Sequence, residues 1–395
     1  LEDIYSTAFS NLEMNIMSIS PYPSRIDKLC SWMADEKIDA VVIEDAESRR
    51  DSSLAYLSGM PSDAVLIIFA DGESVLLPWD EILAGKLASA DKIIGYSEYE
   101  RSYVKAVSQL CSEKLSSGRI ELSSQTPHLL YSEIAGSLTG FEIVCRIDGL
   151  REKLLQMRAV KDENEIEIYR EGGKLTNRMI DAICDGFKSG TIKTELDAAL
   201  FIEAESRRLG AEGPSFETLA AGASRSWGIH AVPSYTAGPI GNFAQEASGG
   251  LSIIDCGLKY KGYCTDITLT ICRGTLDNKQ EEMVSLVQEA HKIAAEAAVS
   301  GIHAAKLARI VDEHFAVSGY AMPHGLGHGV GLDVHEEPGI KDKDLYDKPI
   351  LPGMIFTIEP GLYNAVAGGV RLEDDFLMTE NGAVALTSSR ILRLP

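Results

Sequence analysis

Two pairs of acidic residues stand in apolar, strand-like surroundings at spacings that a hairpin would fold together. The first lies in Ile253-Ile-Asp-Cys-Gly-Leu-Lys-Tyr-Lys-Gly-Tyr-Cys-Thr-Asp266. A turn centred between Tyr260 and Lys261 makes Asp255 and Asp266 cross-strand partners on one face, with Cβ atoms about 5 Å apart. The second pair obeys the same arithmetic: Glu359 in Thr357-Ile-Glu-Pro-Gly-Leu-Tyr363 and Glu373 in Gly369-Val-Arg-Leu-Glu-Asp374 are symmetric about Val366. Opposed carboxylates repel and destabilise a sheet unless they share a proton or a cation. Asp is also a poor strand former. A single such acid is ordinarily a solvated surface residue, whereas two such pairs among Ile, Cys and Thr need an explanation, and a bound cation supplies one.

A cation held by carboxylates commonly recruits an imidazole, and His324-Gly-Leu-Gly-His-Gly-Val-Gly-Leu-Asp-Val-His335 offers several. Glycine at alternate positions lets backbone crowd round a site. The rival reading of these glycines, a phosphate cradle, lacks both the G-x-G-x-x-G spacing and a helical pattern opening directly after it. His291, His303 and His314 fall on helical patterns and are expected to be solvated or at the core edge, and His128 stands alone in the first half of the chain. Carboxylates with one or two imidazoles favour Mn, Co, Fe or Zn over Ca or Mg. Four acids suit two ions, and paired ions roughly 3.5–4 Å apart bridge a hydroxide, lower its pKa and polarise a carbonyl. Hydrolysis is the expected chemistry.

The elements that position these residues follow from periodicity. With 395 residues, the chain exceeds the roughly 250–300 at which single cores stop growing, so two domains are expected. Residues 1–150 read as an α/β domain, with strands at Ala40–Ile43, Val65–Phe69, Val75–Leu77, Lys92–Ile94, Ile120–Leu122 and Ile143–Cys145 between helical patterns. The charge-rich segment Leu150–Asn164 marks the boundary. In residues 151–395 a long helix over Glu165–Phe187 and another over Thr194–Leu209, with Thr194 as N-cap and Asp197 in a capping box, precede the first acid hairpin. Helices at Lys279–Val299 and Ala304–Val317 precede the second. One theme, a helix pair followed by strands carrying two acids, occurs twice, which points to an α+β domain with an internal twofold repeat.

Composition excludes several classes. Hydrophobic residues at 45% and charged residues at 24% describe a globular chain. A net charge of −22 without any Lys/Arg-rich run argues against nucleic acid. Seven scattered cysteines with no C-x-x-C pair read as small buried hydrophobes in a reducing compartment, so a cytoplasmic location is expected. No apolar run of about 18 residues occurs, so neither export nor membrane insertion is expected. The opening stretch Leu1–Ser20, polar and weakly periodic, is expected to be disordered.

These motifs together resemble the superfamily of creatinase, aminopeptidase P, prolidase and methionine aminopeptidase, the "pita-bread" metallopeptidases. The likeness runs through Arg158-Ala-Val-Lys-Asp-Glu, Gly210-Ala-Glu-Gly-Pro-Ser-Phe-Glu217, Asp255-Cys-Gly, Gly262-Tyr-Cys-Thr-Asp-Ile-Thr268, Gly327-His-Gly-Val-Gly-Leu-Asp-Val-His-Glu336, Gly353-Met-Ile-Phe-Thr-Ile-Glu-Pro-Gly-Leu-Tyr363 and Gly369-Val-Arg-Leu-Glu-Asp374. Residues 21–150, with Tyr56-Leu-Ser-Gly59, resemble the family's N-terminal domain more loosely. The resemblance implies a creatinase-like N-terminal α/β domain and a pita-bread catalytic domain. It implies Asp255, Asp266, His328, Glu359 and Glu373 as ligands of two divalent ions, Mn or Co with Zn or Fe as alternatives. By the same likeness His230 and His335 contact the substrate carbonyl, His324 lines the pocket, Arg371 braces a ligating acid and Glu359 shuttles the proton to the leaving nitrogen.

The implied activity is that of an Xaa-Pro dipeptidase or aminopeptidase acting on short proline-containing peptides, as a homodimer. Three departures stand out: Leu269 and Ile229 where relatives carry Arg and Pro, and a stretch Ala231–Gly250 longer than usual. The dipeptidase branch often has an arginine after the His335-Glu motif, and the basic residues of Gly339–Pro349 are all lysines. The rival reading from another class is a catalytically silent scaffold that binds peptides or partner proteins. Loss of ligands marks such relatives, and all five are present here.

Overall fold

The computed structural model describes residues 20–240 and 249–395. Residues 1–19, the bulk of the stretch expected to be disordered, and residues 241–248, within the long segment before the first hairpin, lie outside the described residues. The chain divides into two compact units, Leu1–Leu154 and Leu155–Pro395.

In the first unit the described elements are α1 (Tyr22–Glu36), β1 (Ala40–Asp45), α2 (Ser52–Ser58), β2 (Ala64–Phe69), β3 (Ser74–Pro78), α3 (Glu81–Leu87), β4 (Lys92–Ile93), α4 (Tyr103–Lys114), β5 (Gly118–Leu122), α5 (His128–Ser137) and β6 (Phe141–Val144). They form one mixed sheet in the order β4-β3-β2-β1-β5-β6. Every residue of β2 and β3 is buried, as expected of central strands covered on both faces. Val42, Val65, Ile67 and Leu77 turn to one face and meet Val107 and Cys111 of α4 and Ile134 of α5. Helix α2 has no sequence-level counterpart above; Asp51 caps it by accepting from Ser53 N, and Gly59 at φ 74° ends it after two turns.

Helix α6 (Leu150–Ala159) occupies most of the segment read from sequence as a charged boundary. Beyond it come α7 (Glu163–Ser189), α8 (Glu195–Arg208), β7 (Gly213–Pro214), β8 (Leu219–Ala221), β9 (Gly250–Cys256), β10 (Leu258–Tyr260), β11 (Tyr263–Cys264) and β12 (Ile267–Arg273). The second half repeats this order with α9 (Asn278–Ala297), α10 (Ala304–Val317), β13 (Gly327–Gly329), β14 (Glu336–Ile340), β15 (Ile355–Ile358), β16 (Gly361–Asn364), β17 (Gly368–Arg371) and β18 (Asp374–Thr379), and closes with β19 (Gly382–Ala385) and β20 (Ile391–Leu394).

Capping boxes start α7 at Asp162 with Glu165, α8 at Thr194 with Asp197, and α9 at Asp277 with Gln280. Helix α7 buries the stripe Ile166, Tyr169, Thr176, Met179, Ile180, Ile183 and Phe187, and it stops where Gly190 turns left-handed at φ 74°. Part of that stripe, with Ile202 of α8, packs on Ile254, Ile267, Leu269 and Ile271 of the sheet β20-β12-β9-β8. Helices α9 and α10 do the same for the sheet β14-β13-β15-β18-β19, through Met283, Val287, Leu307 and Val311 against Phe356, Ile358 and Phe376. Each fully buried Leu, Ile or Phe contributes roughly 1.5–3 kcal/mol relative to exposure. The two sheets meet at one bridge, where Thr268 N donates to Glu373 O over 3.4 Å and Glu373 N donates to Thr268 O over 3.2 Å.

The hairpin registers decide where the acids fall. In the first, Lys259 pairs with Cys264, Tyr260 with Tyr263, and Asp255 with Thr268. The turn is therefore centred between Lys261 and Gly262, one residue later than the sequence reading, and both residues have positive φ, 49° and 85°. This is a primed two-residue turn, whose twist matches the strands and which favours glycine at its second position. Asp255 and Asp266 are thus not directly opposed; they are diagonal neighbours on one face, at the roughly 7–8 Å typical of such pairs. The second hairpin follows its predicted symmetry. Ile358 pairs with Asp374 and Gly361 with Arg371, which sets Glu359 against Glu373 between the paired segments.

Candidate metal centre

The bridge between the sheets brings the two acid pairs together. Ligand atoms of Asp266, His328 and Glu373 lie within 4.8 Å of one another. His328 Nε2 is 3.7 Å from Asp266 Oδ2 and 3.6 Å from Glu359 Oε1. Asp255 joins the group through Arg371, whose Nη2 donates to Asp255 Oδ2 at 2.6 Å.

Burial makes this concentration of charge costly. It raises the pKa of Asp266 well above the ordinary carboxylate value, with Glu373 and Asp255 adding to the effect. Glu373 is raised well above its ordinary value by burial and then by Glu359 and Asp255. Burial also pushes Glu359 up to about 7, against the opposing pull of Arg371. One cation cannot neutralise four acids, and Asp255 Oδ1 and Asp266 Oδ1 are buried without a hydrogen-bond partner. Buried carboxylate oxygens lacking donors fit bound divalent cations, which supply the missing positive charge.

Imidazole chemistry separates the histidines. His328 Nδ1 lies 3.0 Å from Gly329 O, which can only accept, so the proton sits on Nδ1 and the Nε2 lone pair faces the acids. Burial depresses the pKa of His328 to about 4, consistent with a neutral ring. His324 is also depressed to about 4 by burial, but both its nitrogens are engaged, Nδ1 with Gly325 O at 2.8 Å and Nε2 with Tyr363 OH at 3.0 Å. His324 therefore lines the site with no nitrogen left for a cation. His335 is exposed, and its ring centroid lies 4.3 Å from that of His328. Burial, and then His230, lower its pKa. His230 is exposed at the rim, close enough for its charge to act on both His324 and His335.

Arg371 is the brace. At 2% exposed, it donates from Nε to Thr268 Oγ1 at 3.1 Å and from Nη1 to Tyr363 OH at 2.7 Å and Ile229 O at 3.1 Å, besides its bond to Asp255. Thr268 Oγ1 in turn donates to Glu373 Oε2 at 2.7 Å. One guanidinium thus orients acids from both hairpins. At Ile229 only a main-chain carbonyl is used, so the side chain expected there does not matter to this bond.

Three partners were not singled out from sequence: Thr268, Tyr363 and Asp375, whose Oδ2 accepts from Asp266 N at 3.1 Å. Alternation is the signal that would have found them, since Thr268 follows Asp266, Tyr363 follows Glu359 and Asp375 follows Glu373 at even spacing. The alternating glycines serve close approach: a Cβ on Gly327 would strike Thr357 O, and one on Gly329 would strike Glu337 O. Leu269 pairs with Ile254 and packs among the α7 side chains on the other face of its sheet, so the charge missing there leaves the acid cluster untouched. Lys341 extends its stem over Gly325, where a Cβ would come within 2.6 Å of Cγ and 2.8 Å of Cε, and its charge depresses His324, His328, His335 and Glu359.

Of the histidines set aside, His291 lies at the core edge, Nε2 3.2 Å from Asp374 Oδ2, and exposed His303 pairs with Asp347 at 2.9 Å. Five of the seven cysteines are buried, Cys30 is partly so and Cys145 is exposed; none forms a disulfide. Among the described residues no helix is long and apolar enough to cross a membrane.

A carboxylate-rich cluster with one free imidazole nitrogen, set where a mixed sheet and an antiparallel sheet join, has the donor set of a divalent-cation site. The chain matches the model of metallopeptidase family M24 over residues 167–380 and that of the creatinase/prolidase N-terminal domain over residues 25–160. It belongs to the M24 family, with a creatinase-type N-terminal domain and a pita-bread catalytic domain. The Xaa-Pro dipeptidase of Pyrococcus horikoshii is 32% identical over 370 residues, covering 92% of this chain and 97% of the relative. The solved X-Pro aminopeptidase from Thermotoga maritima superposes with a TM-score of 0.80 at 26% identity, over 94% of this chain and 99% of the other. Prolidase from Pyrococcus furiosus does so with a TM-score of 0.76 at 28% identity, over 91% and 99%.

Proposed function

We propose that this M24 peptidase hydrolyses the peptide bond before proline in short peptides, with Asp255, Asp266, His328, Glu359 and Glu373 holding two divalent cations, Mn or Co. The observation that carries this reading is the convergence of Asp266, Glu359 and Glu373 on one free imidazole nitrogen, that of His328, with Asp255 Oδ1 and Asp266 Oδ1 buried without a hydrogen-bond partner. The Xaa-Pro relatives named above supply the substrate class. When bound, the cations supply Lewis-acid activation of water and of the scissile carbonyl.

The chain's own residues do the rest. Glu359 moves the proton from the attacking water to the leaving nitrogen. His230 and His335, on the exposed side, donate to the carbonyl oxygen as charge develops there. His324, held by Tyr363 and Gly325 O, walls the pocket, and Arg371 keeps Asp255 oriented. Lys341 offers the cation that a free proline carboxylate needs, which favours dipeptides.

The test is a product assay: purified protein with Mn or Co releases proline from Ala-Pro or Met-Pro, or alanine from Ala-Pro-Ala. No turnover on any of these, with either ion, removes the proposal. The homodimer expected from family likeness is checked separately by light scattering.

A further inference from the structure

His335 lies on the exposed rim, yet the six-residue loop that carries it, Gly331–Glu336, is anchored to a buried ionic cluster outside the metal centre. Arg158, at the end of α6 and 3% exposed, places Nη2 2.7 Å from Asp333 Oδ2 and also bonds Glu336 Oε1. Asp333 N donates to that same Oε1 at 3.0 Å. Lys161 Nζ stands 3.5 Å from the other oxygen, Glu336 Oε2, with both side chains 1% exposed. Within the loop, Gly331 N donates to Asp333 O at 2.9 Å, and a Cβ on Gly331 would run into the Glu336 carboxyl group.

Two buried cations gathered on one buried carboxylate are a poor device for stability, because desolvation offsets most of the Coulombic gain. They are an effective device for geometry. Glu336 immediately follows His335, and Asp333 precedes it by two residues, so the clamp grips the backbone on both sides of the imidazole.

We infer that Arg158, backed by Lys161, is a positioning residue for His335: by holding Asp333 and Glu336 it sets where the His335 ring stands beside His328. The inference rests on the reading of His335 as a group that contacts substrate. It assigns a role to Arg158-Ala-Val-Lys161, a motif remote in sequence from the acids and unused by the hydrolytic chemistry.

The experiment compares Arg158→Met and Arg158→Lys with wild type in the Mn-loaded full chain. Loss of an outer partner of this kind typically costs about 10- to 100-fold. For Arg158→Met we expect kcat on Ala-Pro to fall by that factor while KM and Mn affinity, measured against a chromophoric chelator, change by less than about threefold. Because one guanidinium nitrogen makes both contacts, Arg158→Lys recovers part of the loss. Unchanged kcat in folded Arg158→Met, or a loss that tracks weakened Mn binding, overturns the inference. If Arg158→Met does not fold, Asp333→Asn, at a half-exposed partner, takes its place; we expect a loss of about three- to tenfold, and no loss overturns the inference.

Should wild type not cleave Ala-Pro, the proposed function fails on its own, and the clamp is read without substrate. The His335 imidazole resonance, assigned with His335→Ala, shifts or broadens in the clamp variants, and an unchanged resonance refutes the positioning role.

Discussion

Removing the cations turns the acid cluster into a pH-dependent liability whose size follows from the structure. In the metal-free protein Glu359 is held at about 7, against an ordinary value of 4.5. The folded value lies above the unfolded one, so the associated stabilisation is fully present below about pH 4.5 and is lost as pH rises through about 7. At about 1.4 kcal/mol per pH unit, Glu359 alone accounts for about 3 kcal/mol. About 2.5 kcal/mol of this is lost between pH 5 and pH 8, and for a unit the size of the catalytic one each kcal/mol moves Tm by about 2–4 °C, so Tm should fall by about 5–10 °C over that range. Asp266 and Glu373 shift in the same direction and deepen the fall.

Bound cations reverse the trend, since they require ionised carboxylates and bind more tightly as pH rises. The assay is scanning calorimetry at intervals from pH 5 to pH 8, with excess chelator and with excess Mn. Ionisable groups elsewhere are common to both series, so their difference isolates the centre. Glu359→Gln should remove most of the Glu359 share of that difference. A chelated protein whose Tm stays level or climbs with pH, relative to the loaded protein, refutes the view that these acids are packed together for cations.

Three further outcomes follow from the same contacts. Arg371→Met strands the partly buried Asp255 carboxylate, a phenol and a main-chain carbonyl, and should cost about 2–4 kcal/mol in urea unfolding. Lys341→Met should raise KM for Ala-Pro by about 10- to 100-fold, the worth of one charge-assisted bond, and leave KM for Ala-Pro-Ala nearly unchanged. Equal effects on both peptides would remove Lys341 from carboxylate recognition. Gly327→Ala forces β13 away from Thr357 O, and should cost about 1–3 kcal/mol by thermal unfolding together with weaker Mn binding at His328.

Local rules made much of this protein legible before any coordinates. The capping box at Thr194 with Asp197 marks the start of α8, because a cap is a contact between near neighbours in sequence, and periodicity alone places the start of α7 within two residues. The symmetry about Val366 gives the second hairpin's register, since strand alternation has a period of two. The same reasoning misplaced the first turn by one residue: Lys261-Gly262 twists as a primed turn, and which two residues adopt positive φ depends on how the strands cross.

What the sequence by itself determined was the inventory: two acid-bearing ribbons, a glycine-spaced histidine segment and the helices that back them. Each of these arises from spacing along the chain. Only the tertiary structure decided that the ribbons meet, through the Thr268–Glu373 bridge between sheets more than 100 residues apart in sequence. It alone gave His328 a free Nε2 and engaged both nitrogens of His324, because a tautomer is fixed by whichever carbonyl or hydroxyl packing brings alongside. It also turned Leu269 away from the acids and tied Arg158 to the His335 loop, since long-range partners are chosen by burial and charge rather than by proximity in sequence.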